Sequence, residues 1–200
     1  YMGATVLHDE AVFPARDGGI PINIRNTNDP CNNGTYITNG QAYIEEEKQI
    51  TGIAGKKKFT VITLYKSFLH STNEFLREVL TILEMNSIGV EHIPSGIDSM
   101  SLVISKPEEE YKFTTAIREI KQKCRPDSIQ IFDNISLIAT VGKNMASTPG
   151  MAAKLFAALA KEEINIRMID QGASEINIIV GIEDKDFDKG IRAIYKEFIG

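Results

Sequence analysis

Two segments of the chain share one pattern of apolar and polar positions. At an offset of 76 residues, positions 59–104 align with 135–180 without a gap, and the run FTVITLY falls on ISLIATV. Each copy contains a β-rich run, a helical pattern, two short apolar runs joined by a Gly-containing hinge, and a second helical pattern. Self-similarity at a fixed offset indicates a repeated structural unit. The pattern therefore predicts two copies of one α+β fold.

Two helices are predicted in each copy, each with one apolar face that can cover one side of a sheet. Ser71 and Glu74 form a capping-box signature at the start of the first helix. In the second copy we expect Thr148 to be the N-cap and Pro149 the first helical residue, because the missing proline N–H costs nothing there. The apolar positions of the first helix of the first copy, and of the second helix of each copy, are Phe75, Leu76, Val79, Leu80 and Leu83, then Phe113, Ile117, Ile120 and Cys124, then Phe187, Ile191, Ile194 and Phe198.

A fourth strand is predicted after the second helix of the first copy, where the run DSIQIFDN alternates in polarity. This strand makes the copy a ferredoxin-like βαββαβ domain. The corresponding strand of the second copy would begin beyond Gly200, and a sheet that lacks an edge strand leaves hydrogen-bonding groups open. We therefore expect residues 49–54 to complete the second sheet. The first repeat is then residues 57–134, and the second repeat is residues 48–56 with 135–200, the two domains lying side by side.

Composition restricts the classes of function. The 200 residues are 42% hydrophobic and 24% charged, which is enough for a core in one domain or two small ones. The net charge of −5, with both signs interspersed, disfavours binding to nucleic acid or to a membrane surface. An RNA-binding ferredoxin-like sheet would need aromatic and basic residues on its central strands, and SLIATV and INIIV carry none. No apolar run is long enough to span a bilayer, so a cytoplasmic location is predicted.

The cysteines and histidines give no sign of a covalent or metal framework. Cys31 falls in a polar loop and Cys124 on the apolar side of a predicted helix, which is weak support for a disulfide. His8, His70 and His92 have no second ligand at metal spacing. We therefore expect no metal site.

With this order of elements, the chain resembles the C-terminal regulatory region of aspartate kinases, which carries tandem ACT domains. The resemblance covers nearly the whole chain, and the form EHIPSGIDSMS is similar to the clostridial and bacillar monofunctional type. The segment VLHDEAVFPARDGGIP argues against the alternative, a stand-alone ACT amino-acid sensor or regulatory subunit without its own kinase domain. The segments that carry the resemblance are GATVLHDEAVFPARDGGIPINIRNTNDPCNNGT from Gly3, ITGIAG from Ile50, VEHIPSGIDSMSLVIS from Val90, NMASTPGMAAKLFAAL from Asn144 and INIRMIDQGASEINI from Ile164.

The resemblance implies that residues 1–47 are a linker and the last helix and strand of an amino-acid-kinase domain. The local pattern agrees, with a helix through Leu7 to Ala15, a stop at Gly18 and Gly19, and a strand in IPINIRN. The parent enzyme would use ATP and Mg²⁺ to phosphorylate L-aspartate to 4-phospho-L-aspartate, the first step of lysine, threonine and methionine biosynthesis. This chain has no glycine-rich phosphate cradle, so we expect it to have no catalytic residues, to hold no cofactor and to be inactive alone.

The resemblance also implies a homodimer formed through the ACT domains and feedback binding of lysine, threonine or both, with Arg25 to Gln41 transmitting the signal. We expect the start of the first helix to bind the effector carboxylate, and Glu91, brought alongside by the second strand, to bind its ammonium group. The effector residues implied for the first repeat are Phe68, Ser71, Phe75, Leu76, Gly89, Val90, Glu91 and Ser95. A second possible set is Asn144, Met145, Thr148, Pro149, Asn165, Ile166 and Gln171.

Simpler interpretations of the same residues remain open. Ser71 and Thr148 are also typical helix caps, and Glu91 is also typical of a solvated strand face. In the second repeat Arg167 stands where Glu91 stands in the first. The second set therefore lacks an acid for an ammonium group, and the first repeat is the predicted sensing site.

Overall fold

The computed structural model describes residues 7, 9–38, 50–67, 73–105, 107–142, 145, 148–172 and 176–200. The chain divides into two compact units, residues 3–48 and 49–200. None of the helices in the described ranges combines the length and apolar character that a membrane crossing requires. The elements in chain order are α1 Asp9–Asp17, β1 Ile22–Ile24, β2 Thr35–Ile37, β3 Gly52–Tyr65, α2 Asn73–Met85, β4 Val90–His92, β5 Ser99–Ser105, α3 Glu110–Glu119 with a π-helical turn Ile120–Cys124, β6 Ser128–Val141, α4 Met151–Lys161, β7 Met168–Asp170, β8 Asn177–Glu183, a 3₁₀ turn Asp184–Asp186 and α5 Phe187–Phe198.

The N-terminal unit is one helix followed by a two-stranded antiparallel ribbon. The helix α1 ends two residues later than predicted, and the N–H of Gly18 donates to the carbonyl of Pro14 at 3.0 Å. Gly19, at φ 67°, then turns the chain away. The predicted strand β1 pairs with β2, so one of its edges is covered. Gly34 closes the ribbon at φ 71°, where a Cβ would lie 2.1 Å from a backbone oxygen.

The C-terminal unit is built on one six-stranded sheet with the order β4-β5-β3-β6-β8-β7, in which every neighbouring pair is antiparallel. The helices α2 and α3 bury their apolar faces against the first repeat, with Phe75, Val79 and Phe113 in that core. The helices α4 and α5 cover the second repeat in the same way, with Leu155 and Ile194 in its core. The two-layer arrangement follows from the single apolar face of each helix.

The strands β3 and β6 are each 14 residues long and run through both repeats. Residues 52–56 pair with 141–137 in the second repeat, and residues 61–65 pair with 132–128 in the first. Between these stretches the register shifts, and Lys58 and Asn134 adopt left-handed backbone angles of φ 70° and 60°. Such bulges bend a strand and increase its twist. The two repeats therefore share two long strands, although the proposed domain boundaries stay a prediction.

A third apolar cluster lies on the helix-free face of the sheet. Phe59, Val61 and Val103 of the first repeat pack with Ile135, Leu137, Ala139 and Ile179 of the second. At the two edges of the sheet, Nδ1 of His92 in β4 lies 2.7 Å from Oδ2 of Asp170 in β7. Because four strands separate β4 from β7, the sheet must curl so that the helix-free faces of the two repeats meet.

The start of α4 differs from the sequence prediction. We expected Thr148 as the N-cap and Pro149 as the first helical residue, but the helix begins at Met151. Gly150 has φ 87° and ψ −6°, and the N–H of Met151 points to the carbonyl of Thr148 at 3.5 Å. These values define a type II turn, which favours proline at its second position and glycine at its third. The Pro-Gly pair therefore forms a turn before the helix and delays its start by two residues.

Candidate functional site

The effector residues implied for the first repeat lie at the two ends of α2. Phe75 and Leu76 are in its first turn, whereas Gly89 follows its last residue by four positions. A helix of this length spans about 20 Å. Val90 pairs with Ile104, and Ile104 pairs with Thr60 of β3. The chain leaves β3 for α2 at Tyr65, which is about 17 Å further along β3 than Thr60. The expectation that β4 begins beside the start of α2 is therefore wrong, because α2 carries the chain back to the opposite end of the sheet.

The first group, which we call the N-terminal half-site, comprises Phe75, Leu76 and Ser95. Ser95 belongs to it because it forms a bridge with Met100, the partner of Leu64 near the end of β3. Phe75 is buried in the core, and the ammonium group of Lys66 lies 5.0 Å from the centre of its ring. The positive end of the helix dipole and this lysine both favour a carboxylate. Phe68 and Ser71 lie outside the described residues.

Polar contacts hold Lys66 and Ser67, the two residues that follow β3. Lys66 Nζ donates to the carbonyls of Cys124 at 2.7 Å and Arg125 at 3.1 Å, at the end of the π-helical turn. The N–H and hydroxyl of Ser67 both donate to Oδ2 of Asp127, at 2.7 and 2.8 Å. These hydrogen bonds, followed by the charge of Lys66, lower the pKa of the Asp127 carboxyl. The carboxylate therefore holds Ser67, which follows the end of β3.

The second group, the C-terminal half-site, surrounds a cavity of about 450 Å³ between the end of α2 and the start of β4. Its described lining includes one charged side chain, Glu84. The negative end of the α2 dipole lies here as well, so the cavity favours a cation such as an ammonium group. A Cβ built on Gly89 would meet nothing within 4 Å, which leaves open space at the backbone. The lining residues are Leu80, Glu84, Ser87, Ile88, Gly89 and Val90.

Glu91 does not line this cavity. Its Oε1 accepts a hydrogen bond from the hydroxyl of Ser105 at 3.2 Å and lies 4.0 Å from Nζ of Lys56. Ser105 is directly opposite Phe59, whose side chain belongs to the cluster on the helix-free face. Residues opposite each other in an antiparallel pair share one face. The carboxylate predicted to bind the ammonium group therefore lies on the face of the sheet away from α2, and Glu84 replaces it as the candidate acceptor.

The sequence prediction missed Glu84, although one signal marks it. Helix α2 has an acidic residue, Glu84, in its last turn and no basic residue there. An acid at this end opposes the helix dipole, so it must have a reason other than helix stability. Lys66 carried no comparable signal, because its contacts with Phe75 and Cys124 bring together distant parts of the chain.

The structure does not bring the second predicted set together. Met145 is buried in the core of the second repeat, and Thr148 and Pro149 form the turn before α4. Asn165 and Ile166 instead line a cavity on the helix-free face of the first repeat. Gln171 follows β7, and Asn144 lies outside the described residues.

The cysteine and metal expectations can be compared with the described residues. Cys31 is an exposed free thiol and Cys124 a buried one. Burial, followed by the charge of Glu78, raises the pKa of the Cys124 thiol to about 11. In the same ranges, no group of three or more histidine, cysteine, aspartate or glutamate side chains could hold a metal ion.

Known proteins share this architecture. A family model described as an ACT domain matches residues 138–198, within the second repeat. Aspartokinase 3 of Bacillus subtilis is 33% identical over 199 residues, which cover 99% of this chain and 43% of that protein. The crystal structure of Clostridium acetobutylicum aspartate kinase matches with a TM-score of 0.93 at 55% identity, over 99% of this chain and 46% of the other. The chain corresponds to the C-terminal regulatory region of aspartate kinases.

This aspartate kinase regulatory region spans less than half the length of either relative. The resemblance noted in the sequence is confirmed, and so is the α+β class with tandem ferredoxin-like ACT domains. A structure of Escherichia coli aspartokinase III in complex with lysine and aspartate matches with a TM-score of 0.78 over 98% of this chain and 42% of the other. At 23% identity that likeness shows the fold alone.

Proposed function

We propose that the first repeat of this regulatory region binds a feedback amino acid, lysine, threonine or both. The observation that carries the proposal is the complementary pair of half-sites at the ends of α2. The N-terminal half-site favours a carboxylate, whereas the cavity beside Glu84 favours an ammonium group. Every α-amino acid presents both groups, and lysine carries a second ammonium group on its side chain. Lysine is in addition the ligand of the E. coli enzyme that shares the fold.

The two half-sites are about 20 Å apart in one chain, which is too far for one amino acid to bridge. In a two-fold dimer the same surface of each chain faces its partner, and equivalent helices at such an axis can run antiparallel. The start of α2 in one chain then lies beside the end of α2 in the other. We therefore propose a homodimer through the ACT domains in which each effector site takes one half-site from each chain.

We also propose that the whole protein, of which this chain is the regulatory region, is a kinase. The parent enzyme would transfer a phosphoryl group from ATP, with Mg²⁺, to the side-chain carboxylate of L-aspartate. The nucleotide and the metal ion would be held by another part of the parent enzyme. That part would correspond to the segment of the relatives that this chain does not cover. A bound effector would change that activity only if its affinity differs between two arrangements of the dimer.

Thermal unfolding of the chain with lysine, threonine and the two together tests effector binding. A ligand at about 100 times its dissociation constant adds about 2.7 kcal/mol to the free energy of unfolding, so the midpoint should rise clearly. Norleucine is the matched control for lysine, since it keeps the aliphatic chain but lacks the terminal ammonium group. If no amino acid raises the midpoint, alone or combined, the proposal is wrong.

A pair of variants tests the role of Glu84. Glu84→Gln removes the carboxylate of the cavity and should weaken lysine binding by about tenfold or more, the loss expected for a charge-assisted hydrogen bond. Glu197→Gln is the control, because Glu197 lies on α5 of the second repeat, where its Oε2 is 2.9 Å from Nζ of Lys161. Equal lysine affinities for the two variants would remove Glu84 from the site.

A further inference from the structure

A second cavity, of about 400 Å³, lies on the helix-free face of the first repeat. Its floor adjoins the third apolar cluster, whose Val61 and Ile135 also line the cavity, and it carries polar side chains of β3, β5 and β6. Its wall is the segment 165–168, which leads into β7 of the second repeat. The cavity therefore exists only because the sheet curls and brings the second repeat over the first. Its volume falls within the range of small-molecule sites.

The floor presents hydrogen-bonding groups that are arranged in pairs. The hydroxyls of Thr63 and Ser101 lie 3.0 Å apart, and the hydroxyl of Tyr65 points to Oε1 of Gln130 at 3.4 Å. A hydroxyl can donate one hydrogen bond and accept two, so each member of these pairs can still bind a ligand. The floor therefore suits a ligand that carries its own hydroxyl or amide group.

Arg167 is the one charged side chain among the described residues that line the cavity. Its guanidinium lies over the ring of Phe132, 5.1 Å from the ring centre, and its backbone N–H donates to the carbonyl of Gly181 at 2.7 Å. No carboxylate of the described residues lies within 4.0 Å of it. The pKa of Glu183 is lowered mainly by Lys185, at 2.6 Å, and to a smaller extent by the charge of Arg167, which also borders a neighbouring cavity lined by Asp133, Glu183 and Asp184. The guanidinium is therefore held in position with hydrogen-bond donors still available.

We propose that this cavity binds a small monocarboxylate that also bears a hydroxyl or amide group, with Arg167 as the anion-binding residue. A planar guanidinium matches a carboxylate with two parallel hydrogen bonds. One cation balances one negative charge, which favours a monoanion over a phosphate dianion. None of the described lining residues is acidic, so an ammonium group would find no charged partner here. The site is separate from both half-sites and does not depend on the proposed effector binding.

The position in the first repeat that corresponds to Arg167 carries the opposite charge. Arg167 occupies the position that Glu91 occupies in the first repeat, at the offset of 76 residues. Glu91 is engaged by Ser105 and lies near Lys56, whereas Arg167 faces an open cavity. Duplication of the fold has therefore left opposite charges at corresponding positions, and the cationic one lines this cavity.

Amide chemical-shift mapping of the isotopically labelled chain with L-lactate tests the proposal. Lactate is a hydroxy monocarboxylate, and lactamide is its uncharged match with the same carbon skeleton. We expect saturable shifts for the amides of Thr63, Ser101 and Arg167 with lactate, and affinity weaker by about tenfold or more with lactamide. Shifts confined to other surfaces, or equal affinities for the two compounds, would overturn the proposal, as would the absence of any saturable shift.

Three variants separate the anion-binding role from a structural one. Arg167→Met should lower lactate affinity by about tenfold or more, and Arg167→Lys should restore only part of it, because an ammonium group cannot form the two parallel bonds. Arg77→Met is the matched control, since Arg77 is exposed on α2 and far from the cavity lining. An unchanged affinity in Arg167→Met, with a wild-type amide spectrum elsewhere, would exclude the assigned role.

Discussion

The two glycines of β3 sit in very different surroundings. A Cβ on Gly55 would lie 2.6 Å from Cε2 of Phe187 and 2.9 Å from the carbonyl oxygen of Leu137, whereas one on Gly52 would meet nothing within 4 Å. The ring of Phe187 is buried against this strand, so it has little room to move. A side chain at Gly55 would therefore collide with the first residue of α5.

We expect Gly55→Ala to lower the free energy of unfolding by about 1–3 kcal/mol, the usual cost of overpacking a core. Gly52→Ala is the control in the same strand and should change stability by much less. Urea denaturation followed by circular dichroism measures both. Equal stabilities of the two variants would mean that the contact between α5 and β3 adjusts without cost.

The two thiols should differ in reactivity because only one is exposed. Burial raises the pKa of Cys124 to about 11, so it remains protonated well into the alkaline range, and the thiolate is the reactive form. We expect iodoacetamide at about pH 8 to modify Cys31 and to leave Cys124 unmodified while the chain is folded. Peptide mass spectrometry gives the site of each modification, and Cys31→Ser should abolish the fast reaction.

The same shift predicts a loss of stability in alkali. The folded pKa of Cys124 lies above the ordinary thiol pKa of 9.0, so the folded state prefers the protonated thiol. That preference stabilises the fold fully below pH 9 and is lost as pH rises towards about 11. Cys124→Ala should lose stability less steeply in this range than the wild type. Parallel curves for the two proteins would contradict the assignment.

Single residues show how far the sequence could predict the site. The pattern correctly placed Phe75 and Leu76 on α2, because helical spacing is a local property. It predicted Glu91 as the acid of the site and missed Glu84. Glu91 lies in a short strand whose register with β5 shifts between Val90 and His92, and the face of a residue at such a shift is not given by alternation.

At the scale of elements, α2 and α4 end in the same way, 76 residues apart. The N–H of Ile88 donates to the carbonyl of Leu83 at 2.9 Å, and that of Ile164 donates to Leu159 at 3.1 Å. Ser87 and Glu163, which precede these isoleucines, both have left-handed backbone angles, φ 58° and 57°. This arrangement is a Schellman motif, whose left-handed position favours glycine. The two repeats therefore have the same geometry at this helix end, although neither has glycine at the left-handed position.

We expect Ser87→Gly and Glu163→Gly each to raise the free energy of unfolding by about 0.5–1 kcal/mol, because glycine adopts the left-handed conformation without steric cost. The two motifs are in separate cores, so their effects should add. Thr81→Gly, within α2, is the control and should destabilise by about 0.3 kcal/mol, because glycine is only slightly worse than threonine in a helix interior. Destabilisation by the substitutions at 87 and 163 would show that their side chains contribute more than the backbone strain.

The elements themselves were mostly predictable from spacing and turn chemistry. The apolar positions of α3 and α5 fall where the structure has those helices, and Cys124 lies on the buried side as expected. The start of α4 was misplaced because two local signals compete at Thr148-Pro149-Gly150. Proline suits both the first position of a helix and the second position of a type II turn, and only the following glycine favours the turn.

At the scale of the whole molecule, the sequence predicted the strands but not that two of them, β3 and β6, run through both repeats. The sequence predicts two separate strands in each of the runs that form β3 and β6, one on either side of Lys58 and of Asn134. In the structure each is one strand that bends at a left-handed residue. Pairings such as Ile53 with Thr140 join residues far apart in sequence, and no local pattern encodes them.

The contact between His92 and Asp170 also belongs to this scale, because it joins the two edge strands of the sheet. Nε2 of His92 is buried and has no hydrogen-bond partner among the described residues. The histidine was considered in the sequence only as a possible metal ligand. The sequence could not predict its partner, because the contact depends on the curl of a sheet that the two repeats form together.

The division of the effector site between two chains predicts that defective chains can complement each other. Leu76→Ala damages the N-terminal half-site, and Gly89→Val fills the open space of the C-terminal half-site without a clash inside the chain. In a homodimer of either variant, every site contains one damaged half. In a mixed dimer both damaged halves fall in the same site, and the other site is built from two intact halves.

Mixing the two variants in equal amounts, with unfolding and refolding to exchange chains, should therefore recover about a quarter of the wild-type lysine-binding capacity, because half of the dimers are mixed and each has one intact site. Calorimetric titration measures that capacity. The matched control mixes wild type with a chain carrying both substitutions. Its capacity should fall to about a quarter, whereas a site contained within one chain would leave about half. Because the two mixtures contain the same substitutions in different combinations, a difference in folding between the variants cannot produce both results.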